Sequence, residues 1–261
     1  MKRTIELVRR SIERFIALEG FDRAMALAGQ AFAALLPLLI VIGAVSPATG
    51  KDAASSLIDR LELTGEAADV VQAAVAQPAA IEDRISVVGV VVLVLSALAF
   101  TRALQRLYVR AWGLRKIGVR GNGWGLLWLL AFAAFWSIQP AIVSIFSGIA
   151  ATATSLAASF VLWLFTPWLL LGRQVHWRRL LPQAVLTAVG LTCLGVAAVL
   201  YMPRAVGSAA AQFGFIGVAF SLLSFLFAMF FVVVVTAAFG ATLAQPALAA
   251  QSPVGGERED R

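Results

Sequence analysis

Three arginines at helical spacing close an apolar run. In "TRALQRLYVRAWGLRK", residues 101–116, Arg102, Arg106 and Arg110 recur every four residues, directly after "ISVVGVVVLVLSALAF". Four residues are about 400° of α-helix, so the three guanidinium groups share one slowly drifting face. Such a column grips phosphate, of nucleic acid or of a lipid headgroup, or it senses a transmembrane field. A voltage sensor carries its arginines within a span; these lie at the end of one. A helix leaving the hydrocarbon meets lipid phosphate at that depth, and Tyr108 and Trp112 suit the same layer. The column is expected to face headgroups.

Two amides and two prolines form a second set of candidates. Gln30 and Gln139 stand inside apolar segments, where a primary amide needs partners. Pro37 and Pro140 each remove a backbone hydrogen bond and are expected to kink their helices. Gln139 directly precedes Pro140, beside the carbonyl that the proline frees. Polar, uncharged side chains in such places bond helices together, or they line a path for an amphiphile. Both readings stay open for each residue.

Catalytic constellations are missing. One histidine, His176, and one cysteine, Cys193, lie far apart in the chain. Two such ligands in different settings cannot build a hydrolytic metal site. His176 has no neighbouring carboxylate to complete a Ser–His–acid arrangement and reads as a solvated loop residue, with a pH switch as the alternative. Cys193 reads as a small buried residue. The closely spaced glycines of "GVRGNGWG" follow no strand, so they make no dinucleotide fingerprint; the stretch reads as a turn with Trp124 at the interface. No enzyme activity, metal or cofactor is expected.

The elements that position these residues follow from composition. Of 261 residues, 61 % are apolar and 13 % are charged, about half the charged share of a soluble domain. Helices of ~20 apolar residues cross a hydrocarbon core of ~30 Å. Six such segments lie near 24–46, 84–107, 124–148, 153–172, 180–202 and 214–243. The expected fold is all-α, a six-helix transmembrane bundle. Its spans hold no Asp, Glu or His, which disfavours proton-coupled carriage and channels built on acidic rings.

Charge sets the orientation. Of 21 Lys and Arg, 17 fall in residues 1–23, 102–123, 173–179 and the C-terminal tail, which share one side if six spans alternate. The positive-inside rule then places both termini in the cytoplasm. Residues 1–20 form an amphipathic cytoplasmic helix: Ile5, Val8, Ile12, Phe15 and Ile16 cluster on one side, opposite Arg3, Glu6, Arg10, Glu13 and Arg14. It suits the membrane surface or the ends of the bundle, and the two placements are compatible. Residues 47–83 form an acidic, helical external loop with apolar stripes at Leu57, Ile58, Leu61 and at Val70, Val71, Val75. Residues 246–261 have the composition of a disordered tail.

The order of these features resembles the YihY/BrkB family of bacterial inner-membrane proteins, formerly labelled ribonuclease BN. The resemblance covers about residues 20–245. "ALAGQAFAALLPLLIVI" is similar to that family's first span, and "ALQRLYVRAWGL" to the segment after its second. "WRRLLPQAVLTAVG" resembles the start of its fifth span, and "FGFIGVAFSLLSFLFAMFFVVVVTAAFGATLA" its last. Four departures stand out: Ala34 for the family's Ser, Gln183 for Gly, Phe213 for Tyr and Thr242 for Glu. The resemblance implies six spans with cytoplasmic termini, and roles associated with serum resistance and envelope-lipid export. Nothing in the residues supports the ribonuclease label.

Two functions are expected from this reading. One is transport or flipping of lipid or another amphiphilic envelope component. Arg102, Arg106 and Arg110 would take the headgroup, Gln30 and Gln139 would offer polar contacts midway, and Pro37 and Pro140 would kink the path. The alternative is a non-transporting scaffold that maintains the envelope. The expected partners are membrane lipids and a second copy of the chain or another envelope protein, not nucleic acid.

Overall fold

A computed structural model describes residues 2–45, 84–115, 118, 120–144 and 148–244. The expected external loop at 47–83 and the tail at 246–261 lie outside the described residues. Those described form seven helices and no strand. They are α1 (Lys2–Ala17), α2 (Gly20–Val45), α3 (Arg84–Ala111), α4 (Arg120–Ser144), α5 (Gly148–Leu170), α6 (Trp177–Gly214) and α7 (Ile216–Ala244). Among the described residues α3, α5, α6 and α7 are long and apolar enough to cross a membrane. α4 holds a shorter apolar stretch, Gly123–Phe132. α2 covers the first expected span, and the helix runs through position 37.

Neighbouring helices alternate in direction. α6 and α7 lie side by side in opposite senses: the Thr187 and Thr236 hydroxyls are 2.8 Å apart, and a Cβ on Gly240 would sit 2.3 Å from Gln183 Cβ. The turn between them is Gly214, at φ 56 and ψ −137, a conformation that glycine alone adopts readily. α2 packs most broadly on α3 and on the α6–α7 pair; α5 packs on that pair and on α4; α1 lies against the same pair.

Residues 203–213, between the fifth and sixth expected spans, are helical and extend α6. "AVGSAAAQ" is rich in alanine, the best helix former, and it packs on α7. A Cβ on Gly217 would meet the Ala209 carbonyl, so the hairpin backbones touch there. The 38 residues of α6 make a rod of about 57 Å, well beyond a hydrocarbon thickness of ~30 Å.

α4 also starts earlier than expected, at Arg120. Of the glycines read as a turn, Gly121, Gly123 and Gly125 are therefore in its first turns, and Gly118 precedes it at φ 65. A Cβ on Gly125 would lie 2.8 Å from Thr101 Cγ2, and one on Gly121 would lie 2.9 Å from Gln105 Oε1. Gly121 and Gly125 at i, i+4 face Thr101 and Gln105 at i, i+4. Small residues at this spacing let membrane helices approach closely.

The packed core gathers at one end of the bundle, where α2, α4 and α6 begin and α3, α5 and α7 finish. Leu18, Leu27, Leu104, Leu107, Leu169, Leu170, Leu171, Leu180, Val233 and Val234 are buried there. The arginines Arg14, Arg23, Arg106, Arg110, Arg173, Arg178 and Arg179 belong to the same end, called the basic end below. Toward the other end large apolar residues stand exposed, among them Val196, Val199, Leu200, Phe213, Ile216 and Phe220. Cys193 is exposed too, not buried as its size suggested. Lipid accepts a thiol as readily as a protein interior does.

α1 packs on the end of the bundle and leaves a second apolar face uncovered. Ser11 and Leu18 are buried against the bundle and Phe15 meets Phe231 edge-on at 5.6 Å. Ile5, Val8, Ile12 and Ile16 form a separate exposed stripe, the face of an interfacial helix. On the third side Arg9 and Arg10 donate to the Glu6 carboxylate at 3.0 and 2.9 Å. These bonds hold the Glu6 carboxyl below its ordinary range.

The glycine seam between α3 and α4 gives a direct test. Gly125→Val should destabilise the folded protein by roughly 1–3 kcal/mol, the usual cost of overpacking. Gly123→Val, at a position with open space around it, should cost much less. Thermal melting of both variants in detergent measures the difference.

Candidate functional site

Polar ties close the basic end. The face of α3 opposite the arginine column carries Thr101, Gln105, Tyr108 and Trp112 at i, i+4, i+7 and i+11, one side of a helix. Gln105 Nε2 donates to the Leu170 carbonyl at 2.9 Å. Leu170 is the last residue of α5, so this amide satisfies a carbonyl that the helix end leaves open. Trp112 Nε1 donates to Gln183 Oε1 at 2.8 Å, both groups buried. The Thr187–Thr236 pair adds a link one turn further into α6. Tyr108 and Trp112 are therefore core residues, 0 % and 7 % exposed, and not the interface aromatics that their place between arginines suggested. The 100° turn per residue separates them from the arginine face.

Above this floor the helices part around a cavity of about 330 Å³. α3, α4, α5, α6 and α7 all contribute to it. Aromatic rings dominate its wall: Phe100, Trp128, Phe132, Phe135, Trp163, Phe225 and Phe230, with Met229 beside them. Ser155 and Ser159, one turn apart on α5, and Thr192 on α6 bring hydroxyls. No charged residue is among the described residues that line it. Trp128 is fixed at the base by a 3.1 Å bond from its Nε1 to Thr166 Oγ1. Its ring lies 5.0 Å from Phe132, while Phe100 meets Phe230 edge-on at 5.5 Å. The volume falls within the roughly 300–1,000 Å³ of small-molecule sites. Its chemistry suits an apolar chain or ring and offers no acid, base or charged nucleophile.

The arginine column lies on the outer face of α3. Arg102, Arg106 and Arg110 are all exposed, in line with Val91, Leu95 and Ala99 further along the helix. They do not line the cavity. Glu19, in the α1–α2 turn, uses one oxygen, Oε2, to meet both Arg23 at 3.5 Å and Arg110 at 3.8 Å. Glu19 has φ 53, a left-handed conformation that costs a side-chain-bearing residue roughly 1–2 kcal/mol. Arg23 also donates to the Leu18 carbonyl. Its pKa is drawn down by partial burial first and then by the neighbouring charges of Arg110 and Arg106, with Glu19 opposing.

The remaining sequence candidates separate in space. Gln30, on α2, is half-buried; its Oε1 is buried and has no hydrogen-bond partner among the described residues. It lines no part of the cavity wall described. The side chains at Pro37, Gln139 and Pro140 lie outside the described residues, although α2 and α4 are helical through those positions. His176 is exposed in the α5–α6 turn, beside Trp177. Thr242, where the resemblance implies a glutamate, is met by Arg14 Nη1 at 3.5 Å. Partial burial lowers the pKa of Arg14.

Sequence reasoning missed Gln105, Gln183, Arg23, Glu19 and the whole aromatic wall. For Gln105 a signal was present: Thr101, Gln105, Tyr108 and Trp112 repeat at core spacing inside the arginine segment. For the wall there was none, since five separate helices compose it.

A family model described as Virulence factor BrkB matches residues 11–260. No curated protein matches the chain, and no solved structure does.

The Trp112–Gln183 bond yields a test of the closed end. Gln183→Ala leaves a buried indole N–H without its acceptor and should cost roughly 1–3 kcal/mol. The same change made together with Trp112→Phe should cost less than the sum of the two single changes, because the orphaned donor is gone. Melting of the three variants in one detergent checks both statements.

Proposed function

The chain belongs to the BrkB virulence-factor family, and on that premise we propose that it carries lipid or another amphiphilic envelope component across the bacterial inner membrane. In this reading α2 to α7 are six spans. The basic end faces the cytoplasm, because 17 of 21 Lys and Arg fall in segments at or beyond that end and cytoplasmic loops retain such residues. Both termini then lie inside, with α1 along the inner surface. The protein works without catalysis, and its principal partners are membrane lipids.

One observation carries the reading: an aromatic-walled, uncharged cavity of about 330 Å³ inside a bundle that is locked at one end by polar ties. An acyl chain exchanges one apolar surrounding for another on entering such a space from lipid. The hydroxyls of Ser155, Ser159 and Thr192 give polar contacts without the cost of a buried charge. A scaffold needs no space of this kind.

Reconstitution in liposomes with labelled lipid tests the proposal. Wild-type protein should move at least one class of lipid or lipid-like amphiphile faster than protein-free vesicles. Ser159→Trp, which places an indole in the cavity and narrows it, should slow that movement at least tenfold while the melting temperature holds. Folded wild-type protein with no rate above the blank, across anionic, zwitterionic and prenyl lipids, would leave the scaffold reading in its place.

Orientation has its own test. With Cys193 replaced by alanine, a cysteine at Gly118 should resist a membrane-impermeant thiol reagent in intact cells and react once the membrane is opened. Labelling in intact cells would reverse the topology.

A further inference from the structure

The outer face of α2 and α3 holds a second site, separate from the cavity. Arg23, Arg106 and Arg110 converge there. Arg23 is 19 % exposed in its side chain and Arg110 62 %, so the group runs from the helix seam out to the surface. Glu19 is their shared carboxylate, touching two of them through a single oxygen. Two cations thus share that one carboxylate, and Arg106 lies one turn before Arg110 on the same exposed face of α3. Partial burial first, and then the charges of Arg110 and Arg106, draw down the pKa of Arg23, with Glu19 opposing.

What surrounds the cluster identifies its ligand. On α3 the exposed line continues from Arg102 into Ala99, Leu95 and Val91; on α2 Ala26, Gly29 and Ala33 are exposed beyond Arg23. One side of the site is thus charged and the other apolar, in the order that a bilayer presents phosphate and acyl chain. From Arg102 to Arg110 the column is eight residues, about 12 Å. That exceeds the headgroup layer of one leaflet, roughly 5–8 Å, so the site is placed at the end of the column that holds Arg106 and Arg110.

We propose that Arg23, Arg106 and Arg110 bind the phosphate of an anionic phospholipid, and that Glu19 occupies the site until the phosphate displaces it. The carboxylate geometry supports the second half. Both contacts are long, 3.5 and 3.8 Å, against about 2.7–2.9 Å for a strong charge-assisted bond. A left-handed backbone at Glu19 holds the carboxylate there. Arginine forks grip a phosphate at two points, which one shared carboxylate oxygen cannot match. The site stands whether or not the protein moves lipid.

The two halves predict changes of opposite sign. Purified full-length protein is loaded with phosphatidylglycerol or phosphatidylcholine of equal chain length, and bound lipid is counted by native mass spectrometry. Wild type should prefer phosphatidylglycerol. Arg106→Gln with Arg110→Gln should weaken that preference about thirtyfold, each cation near anionic lipid being worth roughly fivefold. Glu19→Gln should strengthen it. Arg178→Gln with Arg179→Gln, which removes equal charge from the exposed start of α6, should leave it unchanged. Both arginines of the first pair are exposed, so folding, followed by melting, should survive. Glu19→Gln weakening lipid binding as much as the arginine changes would overturn the proposal, since the cluster would then be structural. Equal loss in the Arg178/Arg179 variant would overturn it as well, leaving only net charge. Full displacement of the lipid by inorganic phosphate at matched concentration would make it a site for the free anion instead.

Discussion

A carbonyl at the end of a helix inside a bilayer can turn only to protein or to the headgroup layer. Each group left alone in hydrocarbon costs several kcal/mol. At the basic end this requirement is met by side chains borrowed from other helices. Gln105 of α3 closes the end of α5, and Gln183 of α6 receives the indole N–H of Trp112 from α3. Three helices are thereby bound through two primary amides. Apolar packing holds helices less specifically in lipid, because lipid tails are as apolar as leucine. The bonds supply the register that packing alone leaves open.

Close approach is the precondition for these bonds. Gly121 and Gly125 let α4 sit on α3 at Thr101 and Gln105, and Gly240 lets α7 sit on α6 at Gln183. Gln183 is thus clasped twice, by a glycine beside its stem and by Trp112 at its head. The glycine implied at this position by the family resemblance would leave Trp112 Nε1 with no side-chain acceptor there. Away from the basic end, among the described residues, the helices separate around rings, and the one side-chain bond between helices there is that of the anchored Trp128. Rigidity at one end and space at the other come from the same division of polar residues.

The lengths and places of the helices were largely legible, because a long uncharged apolar run has few fates besides a helix in lipid. Faces were much less so. An amphipathic helix shows its buried side by polarity, and α1 was readable for that reason. α4 and α5 are apolar all round, so polarity says nothing about which residues meet protein and which meet lipid. The cavity wall fell into that blind spot, and so did the outward placement of Cys193. The stretch 203–213 was left outside the expected spans, whereas its alanine content and the touching backbones at Ala209 and Gly217 favour helix. Tyr108 and Trp112 were assigned to the interface by residue type; their offset from the arginines around the helix places them in the core.

α3 is the partition between the two sites. Phe100 and Leu104 face the cavity while Arg102 and Arg106 face outward, so alternate residues of one short stretch serve opposite sides. Rotation of this helix about its axis would exchange those roles, but it would also break the Gln105 and Trp112 bonds. Those bonds lie toward the basic end, and none of comparable kind is present among the described residues of α3 before Thr101. The two bonds therefore fix the rotation of α3 at the basic end, and with it which of its residues face the cavity and which face outward.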